Sequence, residues 1–285
     1  MKLPPFDYAC PTTLPEAVQL LAARDGDAKA IAGGQSLVPM LAFRLAQPTL
    51  LVDLRKLADL RGIRISAKGV TLGAMVRWRD IEDDERLDTA HPLLKAAIAH
   101  VAHYQVRNRG TVGGSLAHAD PAAEMPGIAL TCDAEIAVVG TSGAHVIQAT
   151  DFFQGALTTA LTPDEIIGGI RLPAWPAGRR WGFEEFARRR GDFAMAAAAV
   201  FYDQNESGKA RNAHVGVIGV ADRPLRLPAV EDVLNGRAID AAIIAKAEAA
   251  ASAAVDPQDD IHASAAYRRA LVGTLVERAL KRAAA

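Results

Sequence analysis

The sequence predicts an α+β protein built as three consecutive segments, and three observations point there. A βαβ-like pattern occupies the beginning of the chain. Short strands then alternate with helices from Ile63 to Leu172. Beyond a stretch rich in Pro and Gly at 172–178, antiparallel strands lead into a helical tail. The predicted segments are 1–55, 56–176 and 177–285.

In the first segment Phe6–Ala9 is extended, a helix opens at Thr13-Leu14-Pro15-Glu16, and Ala28–Ala32 returns as a strand. Thr13 can cap that helix, Pro15 is tolerated in its first turn, and Glu16 can reach back as the acid of a capping box. Val18, Leu21 and Ala22 give it an apolar stripe. A turn at Gly33-Gly34-Gln35-Ser36 leads to a short helix through Leu45 and a strand at Leu50–Asp53.

In the second segment the predicted strands are Ile63–Ser66, Val70–Gly73, Glu135–Gly140 and His145–Ala149. The predicted helices are Pro92–Val101 and Pro121–Cys132. In the third, Trp181–Ala187, Ala196–Asp203 and Ala210–Val220 read as antiparallel strands, with 206–209 as a hairpin loop. Ala238–Ala253 and Ser264–Arg282 carry apolar residues at helical spacing, including Tyr267, Leu271, Leu275 and Leu280.

A chain of 285 residues can bury a large core. Its 32 basic and 33 acidic residues nearly balance at a net charge of −1, which gives no field for a polyanion and argues against nucleic-acid binding. Charged residues interrupt every apolar run before the length of about 18 residues needed for a membrane span. The start lacks the pattern of a secretory signal, so a cytoplasmic location is expected. Cys10 and Cys132 are too few for a Cys-ligated zinc or iron–sulfur centre, and no metal site is expected on this chain.

Two glycine pairs carry the chemical signal. The first is Ala32-Gly33-Gly34-Gln35-Ser36, between a strand and a helix. The second is Thr111-Val112-Gly113-Gly114-Ser115, preceded by Arg107-Asn108-Arg109-Gly110. Paired glycines let consecutive amides converge on a phosphate oxygen, and Ser36, Thr111 and Ser115 supply further donors. Either pair alone reads more simply as the glycine of an ordinary turn. Neither is the G-x-G-x-x-G of a dinucleotide-binding unit or a Lys-containing P-loop. Together they point to a diphosphate gripped from two sides.

The runs Ala30 to Leu41 and Arg107 to Glu124, followed by Arg190-Gly191-Asp192-Phe193-Ala194, resemble the medium, FAD-binding subunit of molybdenum hydroxylases, the xanthine dehydrogenase and aerobic carbon monoxide dehydrogenase family. The likeness extends over nearly the whole chain. It implies a two-subdomain FAD-binding fold of the vanillyl-alcohol-oxidase (PCMH) type, followed by a small α+β carboxy-terminal flavoprotein domain.

The resemblance assigns Gly33, Gly34, Gln35, Ser36, Thr111, Gly113, Gly114 and Ser115 to the FAD diphosphate, with Ile31, Ala32 and Leu37 lining the same pocket. Asp120 and Glu124 match acidic positions facing the cofactor, where a carboxylate can accept from ribose hydroxyls. Phe193 and Ile167 are the candidates for contact with the isoalloxazine ring. Some oxidases of this broad fold attach flavin through a His at the glycine turn. Gln35 cannot form that bond, so noncovalent FAD is expected.

No triad or metal cluster is legible, and no catalytic side chain is assigned: the flavin is the reactive group. The resemblance further implies a large partner carrying the molybdenum cofactor and a small partner carrying two [2Fe-2S] clusters, with two copies of each of the three chains. The expected role is electron transfer from those clusters to a terminal acceptor. Two other readings stand beside it: a stand-alone FAD-dependent reductase of the same fold, and a cofactor-free binding or scaffold protein.

Overall fold

A computed structural model describes residues 2–285. Near the amino terminus, Asp7–Ala9, Leu50–Asp53 and Ala28–Ile31 form a parallel sheet with Leu50–Asp53 in the middle, Tyr8 facing Leu51 and Ala30 facing Val52. The helix Leu14–Ala22 closes over it, packing Ala17, Val18 and Leu21 into a small core with Leu50 and Val52. Thr13 caps this helix through Glu16 N, but the Glu16 carboxylate accepts from Thr12 N at 2.9 Å rather than from the cap residue. The chain leaves the strand Ala28–Ile31 directly into the first glycine turn and the short helix Leu37–Ala42.

The middle of the molecule is a five-stranded antiparallel sheet ordered Ile63–Ser66, Gly69–Gly73, Ile166–Pro173, Glu135–Gly140, Gly143–Gln148. Its central strand, Ile166–Pro173, is not among the strands read from the sequence. The register slips between Ile167 and Gly169, so the glycines serve a bulge. A Cβ on Gly169 would stand 2.6 Å from the Leu72 carbonyl of the neighbouring strand.

The helices Pro92–Ile98, Val112–His118 and Glu124–Thr131 pack one face of this sheet around Leu94, Ile98, Leu116, Met125 and Ile128, all fully buried. The predicted helix over Pro121–Cys132 begins three residues later than expected, since Asp120 uses its carboxylate on Ala122 N at 2.9 Å in a turn. The helix Val112–His118 was not anticipated.

A four-stranded sheet orders Arg180–Phe186, Ala196–Gln204, Ala210–Ile218 and Leu225–Arg226 antiparallel. Alternation along the central strand serves two cores. Ala196, Ala198, Val200 and Tyr202 pack under the helices Ala241–Ala253 and Ala265–Ala284, whereas Ala197, Ala199 and Phe201 join the core of the five-stranded sheet. Alanines on the helix-facing side let those helices lie close. At Gly182 even a methyl would meet the Ala279 carbonyl. No helix among the described residues is long and apolar enough to cross a membrane.

Candidate cofactor-binding site

One cavity of about 660 Å³ runs between the amino-terminal sheet, the five-stranded sheet and the strap 187–195, within the range of roughly 300–1,000 Å³ typical of cofactor pockets. Ala32, Gly33, Gly34, Gln35, Ser36, Leu37, Thr111, Gly113, Gly114, Ser115, Asp120, Glu124, Ile167 and Phe193 all line it. Ile31 does not. Its side chain lies under the first turn, with Cδ1 3.5 Å from where a Gly34 Cβ would stand.

The two glycine turns touch each other. Gly33 is seated so tightly against the Arg109 carbonyl that a Cβ there would overlap it, and Gly110 Cα would be 2.9 Å away. This contact brings motifs separated by more than seventy residues to one wall.

Their amides are used differently. In the first turn, the amides of Gly33, Gly34, Gln35 and Ser36 find no acceptor in the protein among the described residues; Gly34 lies at φ +72°, and Gln35 Nε2 folds back to Gly33 O at 3.2 Å. In the second turn, Val112 N donates to Val76 O at 2.9 Å, Gly113 N to Ala74 O at 2.8 Å, Gly114 N to Thr111 Oγ1 at 3.1 Å and Ser115 N to Thr111 O at 3.0 Å. The expectation that both pairs offer converging amides is therefore corrected. Only the first leaves its amides unpaired, because the second forms the capped start of a helix bonded to the backbone at 74–76.

The acidic residues sit at the start of the helix Glu124–Thr131. Glu124 is buried, and that burial pushes its carboxyl up to about 7, with the nearby Asp120 charge adding to the rise. Behind it, Glu185 on the strand Arg180–Phe186 is pushed up to about 8, first by burial and then by the Glu124 charge. One Glu185 oxygen stands 3.7 Å from His100 Nδ1 and the other has no partner.

Ile167 is buried on the cavity wall, while Phe193 is 63% exposed on the strap. Met40, Met75, Trp78 and His118 also line the cavity and were not singled out as ligand-facing from the sequence. Trp78 is held by its amide on Gly110 O at 3.2 Å, a tertiary contact that sequence spacing does not signal. His118 reaches the cavity from the last turn of the helix Val112–His118. Of the cysteines, Cys132 is buried, its thiol pushed up to about 12 by desolvation, and Cys10 is half-buried and free.

Residues 4–175 match the family of the FAD binding domain in molybdopterin dehydrogenase, and residues 181–283 match the CO dehydrogenase flavoprotein C-terminal domain. The chain belongs to the FAD-binding medium subunits of the molybdenum hydroxylases. It is 38% identical to the 6-hydroxypseudooxynicotine dehydrogenase complex subunit alpha of Paenarthrobacter nicotinovorans, over 99% of this chain and 96% of that protein. It is also 38% identical to the carbon monoxide dehydrogenase medium chain of Afipia carboxidovorans, over 98% and 97%. Among solved structures it superposes on a chain of quinoline 2-oxidoreductase from Pseudomonas putida 86 with a TM-score of 0.94 at 40% identity, covering 100% of this chain and 98% of that one. A chain of carbon monoxide dehydrogenase from Hydrogenophaga pseudoflava gives 0.96 at 37%, covering 99% and 98%.

Proposed function

We propose that this medium subunit holds FAD without a covalent bond and carries electrons within a three-chain molybdenum hydroxylase. They arrive from two [2Fe-2S] clusters on a small partner chain and leave to a terminal acceptor. Substrate oxidation occurs at the molybdenum cofactor of a large partner. The assembly holds two copies of each chain and resides in the cytoplasm. The chain divides at 1–55, 56–176 and 177–285, with the third part contributing the strap that bears Phe193.

The observation that carries this reading is the set of unpaired amides at Gly33–Ser36 on the wall of a cofactor-sized cavity. Such a set fits a diphosphate, because each amide regains the hydrogen bond it otherwise lacks and no Cβ stands at Gly33 or Gly34. The Ser36, Thr111 and Ser115 hydroxyls supply further donors to the same group. Asp120 and Glu124 accept from ribose hydroxyls, and a Glu124 neutral near pH 7 can also donate. Ile167 and Phe193 flank the ring and keep water from it.

Bound there, FAD supplies the chemistry of collecting single electrons and releasing them in pairs. The protein's part is to fix the ring, shape its surroundings and exclude solvent. Purification of the chain from its native source tests the reading. Co-purification of two further chains with one noncovalent FAD per medium subunit is the expected result; a colourless or solitary chain contradicts it.

A further inference from the structure

Arg107 belongs to the run that precedes the second glycine turn, yet its work lies elsewhere. Its Nη1 donates to Val101 O at 3.0 Å and to Ala102 O at 2.9 Å. Its Nε stands 2.9 Å from Glu82 Oε1, and the two side chains are only 18% and 23% exposed. The guanidinium thus gathers two successive carbonyls at a place where the backbone is bent, with Ala102 at φ +44°, a conformation costly for a residue with a Cβ.

The gathered turn faces the cavity. Val101, Ala102 and Val106 line it, and Gly191 of the strap rests on this turn. A Cβ on Gly191 would overlap the His103 ring and stand 2.8 Å from the Ala102 oxygen, the same oxygen that Arg107 holds. Gly191 is at φ +89°, and two residues later comes Phe193, exposed on the cavity wall.

We infer that Arg107 is a positioning residue: by clamping the carbonyls of Val101 and Ala102 to Glu82 it fixes the seat of the strap, and through the strap the placement of Phe193 beside the flavin. The inference rests on the FAD reading above. A planar guanidinium suits this task because it can address the carboxylate and both carbonyls at once, whereas a lysine ammonium offers a point charge on a flexible stem. Among the described residues, Arg107 Nε and the second Glu82 oxygen both lack a hydrogen-bond partner, so the carboxylate holds the guanidinium by charge and proximity while the two carbonyls supply the directed bonds.

The test uses the intact complex carrying Arg107→Lys, Gly191→Ala, or both. Arg107→Lys is expected to raise the FAD dissociation constant about tenfold, equivalent to about 1.4 kcal/mol, and to increase quenching of flavin fluorescence by iodide as the strap loosens. Gly191→Ala, acting on the same carbonyl from the strap side, is expected to change both readouts in the same direction. The double variant should fall short of the product of the two single effects. Unchanged flavin affinity and iodide access in Arg107→Lys, or single effects that multiply in the double variant, overturn the inference. If Arg107→Lys does not assemble, Gly191→Ala alone decides: wild-type flavin behaviour there overturns it. A wild-type complex without FAD would instead sink the underlying reading.

Discussion

The two glycine pairs look alike in sequence and differ in what their backbones do. Around Gly33-Gly34 the amides are unspent and Gly34 adopts a left-handed conformation, which leaves four donors unpaired among the described residues, in residues that line the cavity. Around Gly113-Gly114 every amide from Val112 to Ser115 is bonded inside the protein, and Gly113 lies so close to Ala74 that a Cβ would come 2.5 Å from the alanine Cβ. Gly33 is glycine because the Arg109 carbonyl leaves no room for a Cβ and Gly34 because of its left-handed backbone, whereas Gly113 lets a helix start hard against the turn at Ala74. On the proposed reading the second turn would meet the diphosphate through its hydroxyls.

The sharpest way to break this contrast is to fill each turn. Gly113→Val drives a branched side chain into Ala74, and overpacking of this kind costs about 1–3 kcal/mol or more. The expectation is a large drop in thermal stability with poor assembly, read by calorimetry. Gly34→Ala meets Val38 Cγ2 at 3.2 Å and strains the turn at φ +72°, a penalty of about 1–2 kcal/mol. Its main effect is expected on FAD. Displacing amides from an anion forfeits about 1.5–3 kcal/mol per charged hydrogen bond, so the dissociation constant should rise at least tenfold while the complex still assembles. Equal loss of stability in both variants would erase the distinction.

A smaller effect is expected from the buried acids Glu124 and Glu185, on the helix Glu124–Thr131 and the strand Arg180–Phe186. Glu124 and Glu185 bind protons more tightly folded than unfolded, where a glutamate titrates near 4.3. The folded state therefore holds more protons than the unfolded one between that value and about 8, and stability falls as pH rises through this window. Melting temperatures from about pH 5 to about pH 9 should decline, and Glu185→Gln should flatten the decline. A slope unchanged in that variant would show that the pair does not govern it.

The smallest effect belongs to Thr111→Ala. The Thr111 side chain caps the helix Val112–His118 through Gly114 N, and such a loss costs about 1 kcal/mol. A fall of a few degrees in melting temperature is expected, with FAD retained better than in Gly34→Ala.

Much of the fold was legible because its signals are local. Thr13, Pro15 and the apolar stripe placed the first helix, and short apolar runs placed Leu50–Asp53 and Glu135–Gly140. The strand Ala196–Gln204 was legible despite its helix-favouring alanines, since it lies between turn signals and pairs on both edges. What escaped depends on tertiary contact. The helix Val112–His118 carries two glycines that weaken it locally, and its Thr111 cap and its bonds to residues 74–76 outweigh them. The strand Ile166–Pro173 hides behind glycines that serve a bulge and a close neighbour. At the site, the glycine pairs were visible as candidate anion turns, but not which one leaves its amides free. Ile167 and Phe193 came from family likeness alone, and Trp78 and Met75 from neither.

The most direct test of the contrast between the turns is an experimental structure of the FAD-loaded complex in which the diphosphate is resolved. The account predicts its oxygens within hydrogen-bonding reach of the amides of Gly33 to Ser36, with Gly113 N still on Ala74 O and Gly114 N still on Thr111 Oγ1. A diphosphate bound instead by the Gly113 and Gly114 amides, those internal bonds broken and the first turn facing only protein, would contradict it.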